Sequence, residues 1–380
     1  METKRDVERF IDSIKFGRAT RRDVARAFAS VGLASVLVPT GRIGAARADD
    51  HPMVFTWAGY DAPEMHAAYA AKYGASPSFT LWGDEEEAEA KMVAGFKPDM
   101  AMPCSYKVKK WTDYGFLKPI DTSRLSNWPD IIPSLTTVKD MEVGGQRYMI
   151  PCWWGLTSVT FRSDLCPEYV PQDAHTWGIL WDEKYAGRLS MIDSLIDGVM
   201  VAAIYSGAKD PFNMTPEEVE KVKQLMIQQR PLLRFYTNDA SQWGQALASG
   251  EVVAAGSWND TILMLSNEGV PAIFMRPKEG AMTWTCGLTL MSFVRPEVEE
   301  RTYDLLNAFM SPETGHYWIE TFGMGHANKK AFEGFSGDDL IKRGLTPDDI
   351  DAYIASGIFQ ATIQNEPELQ GMYEEVKAGL

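Results

Sequence analysis

Cysteine, histidine and positive charge are all scarce in this chain of 380 residues, and each scarcity closes off a class of chemistry. The four cysteines, Cys104, Cys152, Cys166 and Cys286, form no Cys-x-x-Cys pair, which sets aside a thioredoxin-like redox site. Four are also too few for a disulfide scaffold; one bridge fits the composition, and the spacing does not assign it. The five histidines, His51, His66, His175, His316 and His326, show neither His-Glu-x-x-His nor any paired spacing, so no metal site is expected. Phosphate-binding loops are missing: there is no G-x-x-x-x-G-K-[ST], and Gly323-Met324-Gly325-His326 lacks the third glycine of a dinucleotide fingerprint. An ATPase or a Rossmann dehydrogenase is therefore disfavoured, and no cofactor is expected. No G-x-S-x-G elbow marks a serine hydrolase. Lysine and arginine number 37 against 52 acids, a formal charge of −15. That leaves too little positive charge to neutralise a phosphate backbone, so nucleic acid is not an expected partner, and cationic ligands suit the balance better than anionic ones.

Long hydrophobic runs are missing too. The apolar stretch at 27–39 has 13 residues, against roughly 20 needed to cross a bilayer as a helix. It follows a basic segment (Lys15, Arg18, Arg21, Arg22, Arg26) and precedes Ala46-Arg47-Ala48, which is the order of a secretion signal cleaved before Asp49. Arg21-Arg22 after Thr20, with a long preceding segment, resembles a twin-arginine signal for export of a folded protein; an ordinary Sec signal with extra arginines is the alternative. Residues 1–48 are read as this signal, and the mature product is expected in the periplasm of a bacterial cell without a membrane anchor.

What is present reads as short strands alternating with longer amphipathic segments. Strands are expected at 53–57, 78–81, 99–102, 252–258 and 288–293, and helices at 62–73 and 107–114. Another helix runs from Asp84, as N-cap, towards Val93, and its Glu85-Glu86-Glu87 is read as compensation of the helix dipole rather than as a metal site. Thr215-Pro216-Glu217-Glu218 is a capping box opening a helix to about Gln229. Strands separated by helices imply an α/β fold with largely parallel sheets, and the length implies two domains with a cleft between them. Ile150-Pro151-Cys152-Trp153-Trp154-Gly155 and the turn at Ser257-Trp258-Asn259-Asp260 fall where the chain would cross between lobes.

Aromatic residues are plentiful, with 12 tryptophans. Trp57 ends the first strand, Trp258 precedes Asp260 after another, and Trp284 follows the Lys278-Glu279-Gly280 turn. Tryptophan beside carboxylates at strand ends suits an organic cation, with ring faces over the alkyl part and carboxylates on the ammonium. Filling of the lobe interiors is the alternative for any one of them.

These segments resemble a known family, the periplasmic binding proteins of spermidine/putrescine ABC transporters. The resemblance is carried by Thr56-Trp57-Ala58-Gly59-Tyr60, Asp99-Met100-Ala101-Met102-Pro103-Cys104-Ser105-Tyr106, Ile150 to Gly155, Trp181-Asp182-Glu183-Lys184-Tyr185-Ala186-Gly187-Arg188, Ser257 to Asp260 and Arg276-Pro277-Lys278-Glu279-Gly280-Ala281, in that order. It implies a two-lobed periplasmic binding protein fold of type II, each lobe a mostly parallel sheet flanked by helices, with a hinge between. The lobes would comprise 52–150 with 258–331, and 151–257 with 332–380. The resemblance places Trp57 and Tyr106 as first-lobe aromatic walls and Trp258 with Asp260 as the pair holding an ammonium. Thr237, Trp243 and Gln360 would supply polar or stacking contacts, and Asp197 stands for a second-lobe glutamate. Three positions depart from the family pattern: Cys286 replaces the carboxylate facing a terminal amine, Ser194 another acid, and Met324 an aromatic wall. Cys104 replaces a small polar residue of the pocket, which would bring it near Cys286.

The expected function is to bind a putrescine- or spermidine-like polyamine, using Asp193, Asp197 and Asp260, and to deliver it to the permease subunits of an ABC transporter. The loss of an acid at Cys286 makes a monocationic, quaternary or amino-acid-like amine a competing ligand. A secreted enzyme using the same three carboxylates as acid and base, and a receptor domain presenting ligand to a sensor, are the readings from other classes. The protein is expected to be a non-catalytic monomer.

Overall fold

The computed structural model describes residues 50–83, 85–346 and 348–379; the proposed signal at 1–48 and the Asp84 cap lie outside the described residues. The strands that organise the site are β1 (Met53–Trp57), β2 (Ser78–Trp82), β3 (Met100–Ala101), β4 (Met149–Arg162), β5 (Leu189–Ile192), β6 (Leu233–Thr237), β7 (Ala254–Trp258) and β8 (Met282–Met291). They form one sheet in the order β2-β1-β3-β8-β4-β7-β5-β6. At its flanks the pairs are parallel, β1 with β2 and β3, and β5 with β6 and β7. Inner parallel strands are buried on both faces, which is why β1, β3 and β5 read as short apolar runs, while the edge strands β2 and β6 keep partial exposure.

The middle of the sheet departs from the expected parallel pattern. Strands β4 and β8 pair antiparallel from Thr157 with Met282 to Met149 with Thr289. The Pro/Trp-rich segment expected as a chain crossing is the first half of β4, the longest strand, and β8 begins six residues before the expected 288. Its start is masked in the sequence by Thr283 and Thr285, which count as polar although β-branching favours a strand. Both are buried, and the Thr285 hydroxyl donates to the Trp153 carbonyl at 3.2 Å. A register shift falls between Cys286 and Gly287, where a side chain at 287 would sit 2.0 Å from the Ile150 carbonyl oxygen. Glycine is what allows the strands to approach there.

Two large cores flank these strands. One draws on residues between 54 and 154 and between 284 and 354, the other on residues between 159 and 282 and between 369 and 376. Strand β4 feeds both, with Trp153 and Trp154 in the first and Val159 and Phe161 in the second.

The helices needed below are α1 (Glu85–Val93), α2 (Ser105–Asp113), α3 (Pro216–Gln229), α4 (Asp260–Asn267) and α5 (Glu366–Ala378). The capping box at α3 forms as the sequence predicts: Glu218 N–H donates to Thr215 Oγ1 at 3.3 Å, and Thr215 N–H donates to Glu218 Oε2 at 2.8 Å. Residues 62–73 form a 3-10 turn at Pro63–His66 followed by a helix at Ala67–Tyr73.

Candidate functional site

Strand β7 ends at Trp258 and α4 begins at Asp260, so Asn259 alone makes the turn between them. Its side chain accepts from Leu156 N–H at 3.0 Å and donates to the carbonyls of Gly323 at 2.7 Å and Arg343 at 3.1 Å. This fully bonded asparagine fixes the directions of the residues on either side. Asp260 keeps some solvent exposure as a residue, but its Oδ1 is covered and has no hydrogen-bond donor. Burial pushes its carboxyl up to about 6, against the opposing pull of the Thr261 N–H and hydroxyl. The Tyr60 phenol, driven upward by burial and then by the Asp260 charge, lies beside it and donates to Met324 Sδ at 3.6 Å.

Asp197 sits on a single π-helical turn, Leu195–Val199, and is 4% exposed. Its Oδ1 accepts from Thr157 Oγ1 at 2.7 Å and Gln360 Nε2 at 3.0 Å, while Oδ2 accepts from Ser194 Oγ at 3.1 Å. The Trp258 indole lies close to this carboxylate and favours its charged form. Burial raises the Asp197 pKa, and these donors pull the other way. Ser194 and Gln360, placed in the sequence reading as ligand-facing or family-variant positions, are the groups that hold Asp197 in place.

A third buried carboxylate was missed by sequence reasoning. Glu85, the first residue of α1, is 1% exposed; the Cys104 N–H donates to its Oε1 at 2.6 Å, and its Oε2 is covered without an aligned donor. Burial pushes its carboxyl up to about 7, opposed by the Lys107 charge. Tyr106 lies against the same carboxylate, and its phenol is raised by burial, then by Glu85 and, more weakly, by Asp197. The only signal available was the acid run itself, which the helix dipole explains equally well.

Cys104 and Cys286, brought near one another by the family resemblance, are joined by a disulfide. Cys286, expected at the position of a ligand-facing carboxylate, is therefore no free thiol facing a ligand. Trp284, two residues earlier, is 8% exposed with an unpartnered indole nitrogen, and a side chain at Gly155 would collide with its ring at 2.1 Å. Trp57 is partly exposed; its indole donates to the Met102 carbonyl at 3.0 Å and its ring meets Trp82 edge-on at 5.7 Å.

Three expected site residues are engaged elsewhere. Asp193 Oδ1 accepts from Lys377 Nζ at 2.8 Å and Tyr373 Oη at 3.0 Å, both on α5, so its charge is already neutralised. Asp197 lies four positions further on, past the start of the π-helical turn, and the two carboxylates point to different partners. Thr237 Oγ1 accepts from Asp239 N–H at 3.1 Å in the turn after β6. Trp243 is fully buried and meets Trp258 edge-on at 5.3 Å, supporting that ring from within its core. Among the described residues no group of three His, Cys, Asp or Glu is placed to hold a metal ion, and no helix is long and apolar enough to cross a membrane.

The match of residues 55–344 to the bacterial extracellular solute-binding protein family decides the family. This chain is a bacterial extracellular solute-binding protein. A relative from Pseudomonas aeruginosa named as a putrescine/agmatine-binding protein is 25% identical over 275 residues, 68% of this chain and 73% of the relative. The spermidine/putrescine-binding periplasmic protein of Escherichia coli is 24% identical over 347 residues, 89% of this chain and 95% of that one. The crystal structure of a spermidine/putrescine ABC transporter substrate-binding protein from Streptococcus pneumoniae superposes with a TM-score of 0.71 at 17% identity, covering 86% of this chain and 97% of that one. The fold of this solute-binding protein is thus the two-lobed type II periplasmic binding protein fold.

Proposed function

We propose that this solute-binding protein captures a small organic amine of the polyamine class in the periplasm and hands it to the permease of an ABC transporter. The observation that carries this reading is the covered, donor-free Oδ1 of Asp260 two residues from the Trp258 ring. A buried carboxylate oxygen without a donor is costly, and an ammonium ligand is the partner that removes the cost while its alkyl chain rests on the indole. The names of the relatives, a putrescine/agmatine-binding and a spermidine/putrescine-binding protein, support the same class. Two lobes built on the two cores would close around the ligand by bending at β4 and β8, with residues 340–354 counted with the first lobe, whose core they share.

Asp193, one of the three acids shared by the amine-binding and enzyme readings, is held by Lys377, which leaves Asp197 and Asp260 to either. The deciding experiment is mass spectrometry of ligand released from purified protein, followed by calorimetry with putrescine, spermidine and simple monoamines. Saturable amine binding without any new product is the expected result. Turnover of the amine would replace this reading with an enzyme, and no amine binding would remove it.

A further inference from the structure

Of the three acids opening α1, Glu85 alone is buried; the side chains of Glu86 and Glu87 keep 71% and 44% of their exposure. A helix dipole is served as well by an exposed carboxylate, so dipole compensation does not explain why Glu85 is withdrawn from water. Its Oε1 takes the Cys104 N–H, but Oε2 has no aligned donor. The charge of buried Lys107 reaches Glu85, but its ammonium is placed elsewhere: Nζ lies 2.6 Å from Glu86 Oε1 and over the Tyr106 ring at 5.5 Å. From Glu85 a run of contacts passes through Cys104 to Tyr106 in the first turn of α2, whose carbonyl accepts from Thr362 Oγ1 at 3.0 Å, two residues along from the Gln360 that donates to Asp197 at 3.0 Å. From Asp197 it goes on through Thr157, which donates to Asp197 Oδ1 at 2.7 Å and pairs across the sheet with Trp258, two residues before Asp260. The two ends of that run are carboxylates, each with one covered oxygen that has no aligned hydrogen-bond donor.

We infer that Glu85 is a second ammonium anchor, so that the site takes a linear ligand with two cationic ends, one on Asp260 Oδ1 and the other on Glu85 Oε2. Tyr106, Asp197 and Trp258 line the stretch between. This rests on the amine-binding reading above and adds to it the residue, Glu85, that selects ligands with two cationic ends over monoamines. The Cys104–Cys286 bridge contributes by holding the Cys104 N–H against Oε1, which leaves Oε2 as the free oxygen.

Calorimetry on the full chain with putrescine, cadaverine and spermidine, against butylamine as monoamine, tests the assignment in wild type, Glu85→Gln and Asp260→Asn. The wild type should bind at least one of the polyamines about tenfold or more tighter than butylamine, the range of one charge-assisted hydrogen bond. Glu85→Gln should abolish that preference while butylamine affinity stays within about threefold, because the amide keeps an acceptor for Cys104 but no charge. Asp260→Asn should weaken every ligand. A preference that survives in folded Glu85→Gln, or a wild type that binds butylamine as tightly as the polyamines, overturns the role of Glu85 and leaves the amine reading standing. A wild type that binds none of the four overturns both. If Glu85→Gln does not fold, Glu85→Asp, which withdraws the charge by one methylene, must reduce the preference; a folded Glu85→Asp with the wild-type preference overturns the assignment.

Discussion

Asp260 carries a charge that the ligand-free fold leaves uncompensated, and two measurements follow from that. Removing one side of a buried ion pair costs about 3–5 kcal/mol, so Asp260→Asn should weaken amine binding by at least roughly a hundredfold by calorimetry. A loss under about threefold would contradict the assignment. The second measurement needs no ligand. Because burial raises the Asp260 pKa from 3.8 to about 6, the folded state holds this proton more tightly than the unfolded chain does. The resulting penalty on folding is absent below the unfolded value, grows as pH rises through that window, and is complete above about 6. Fully buried His326, whose pKa burial lowers to about 4, acts in the opposite sense as pH falls, so the total pH profile does not isolate Asp260. The difference does: the thermal midpoint of ligand-free Asp260→Asn should gain on wild type at about pH 7.5 relative to about pH 5. An equal difference at both pH values would remove the buried charge from the account.

Among the elements, the disulfide matters most because it ties the residue before α2 to the middle of β8, 182 residues away in sequence. Closing so long a loop constrains the unfolded chain, and a bridge of this kind is typically worth about 2–4 kcal/mol. Cys104→Ser with Cys286→Ser should therefore lower the unfolding free energy from denaturant titration by that amount, with a lower midpoint, and wild type under reductant should match the double variant. An unchanged midpoint would mean that the cores alone fix these elements. Gly155 belongs to the same scale, since it lets β4 pass beneath the Trp284 ring. Gly155→Ala should displace that ring and weaken amine binding about tenfold or more, by comparison with the range of a lost buried contact, while far-ultraviolet circular dichroism stays unchanged. Retained affinity would show that Trp284 is not part of the site.

For the molecule as a whole, closure of two lobes on a ligand predicts a smaller radius of gyration by X-ray scattering when putrescine is added at saturation. The same radius with and without bound ligand would make the site preformed. Export is testable at this scale as well: intact mass of periplasmic protein should place its start near Asp49, and Arg21→Lys with Arg22→Lys should abolish its appearance there if the twin-arginine route carries it. Unchanged export of that variant would leave the Sec route.

The sequence by itself determined the alternation of strands and helices, the α3 capping box and the aromatic–carboxylate turn at Trp258 and Asp260, because these depend on neighbours within a few residues. Thr215 and Glu218 bond each other whatever surrounds them, and Trp258 and Asp260 are carried together by one turn. Tertiary structure alone decided which acids count. Asp193 and Asp197 look equivalent in sequence, yet the first meets Lys377 on the final helix and the second meets Thr157, Ser194 and Gln360. Glu85 is one of three like residues until the Cys104 backbone, placed by a bridge to a strand far along the chain, closes over it. A carboxylate's role is set by which donors and how much water reach it, and for these residues both come from segments distant in sequence that only the folded chain brings together.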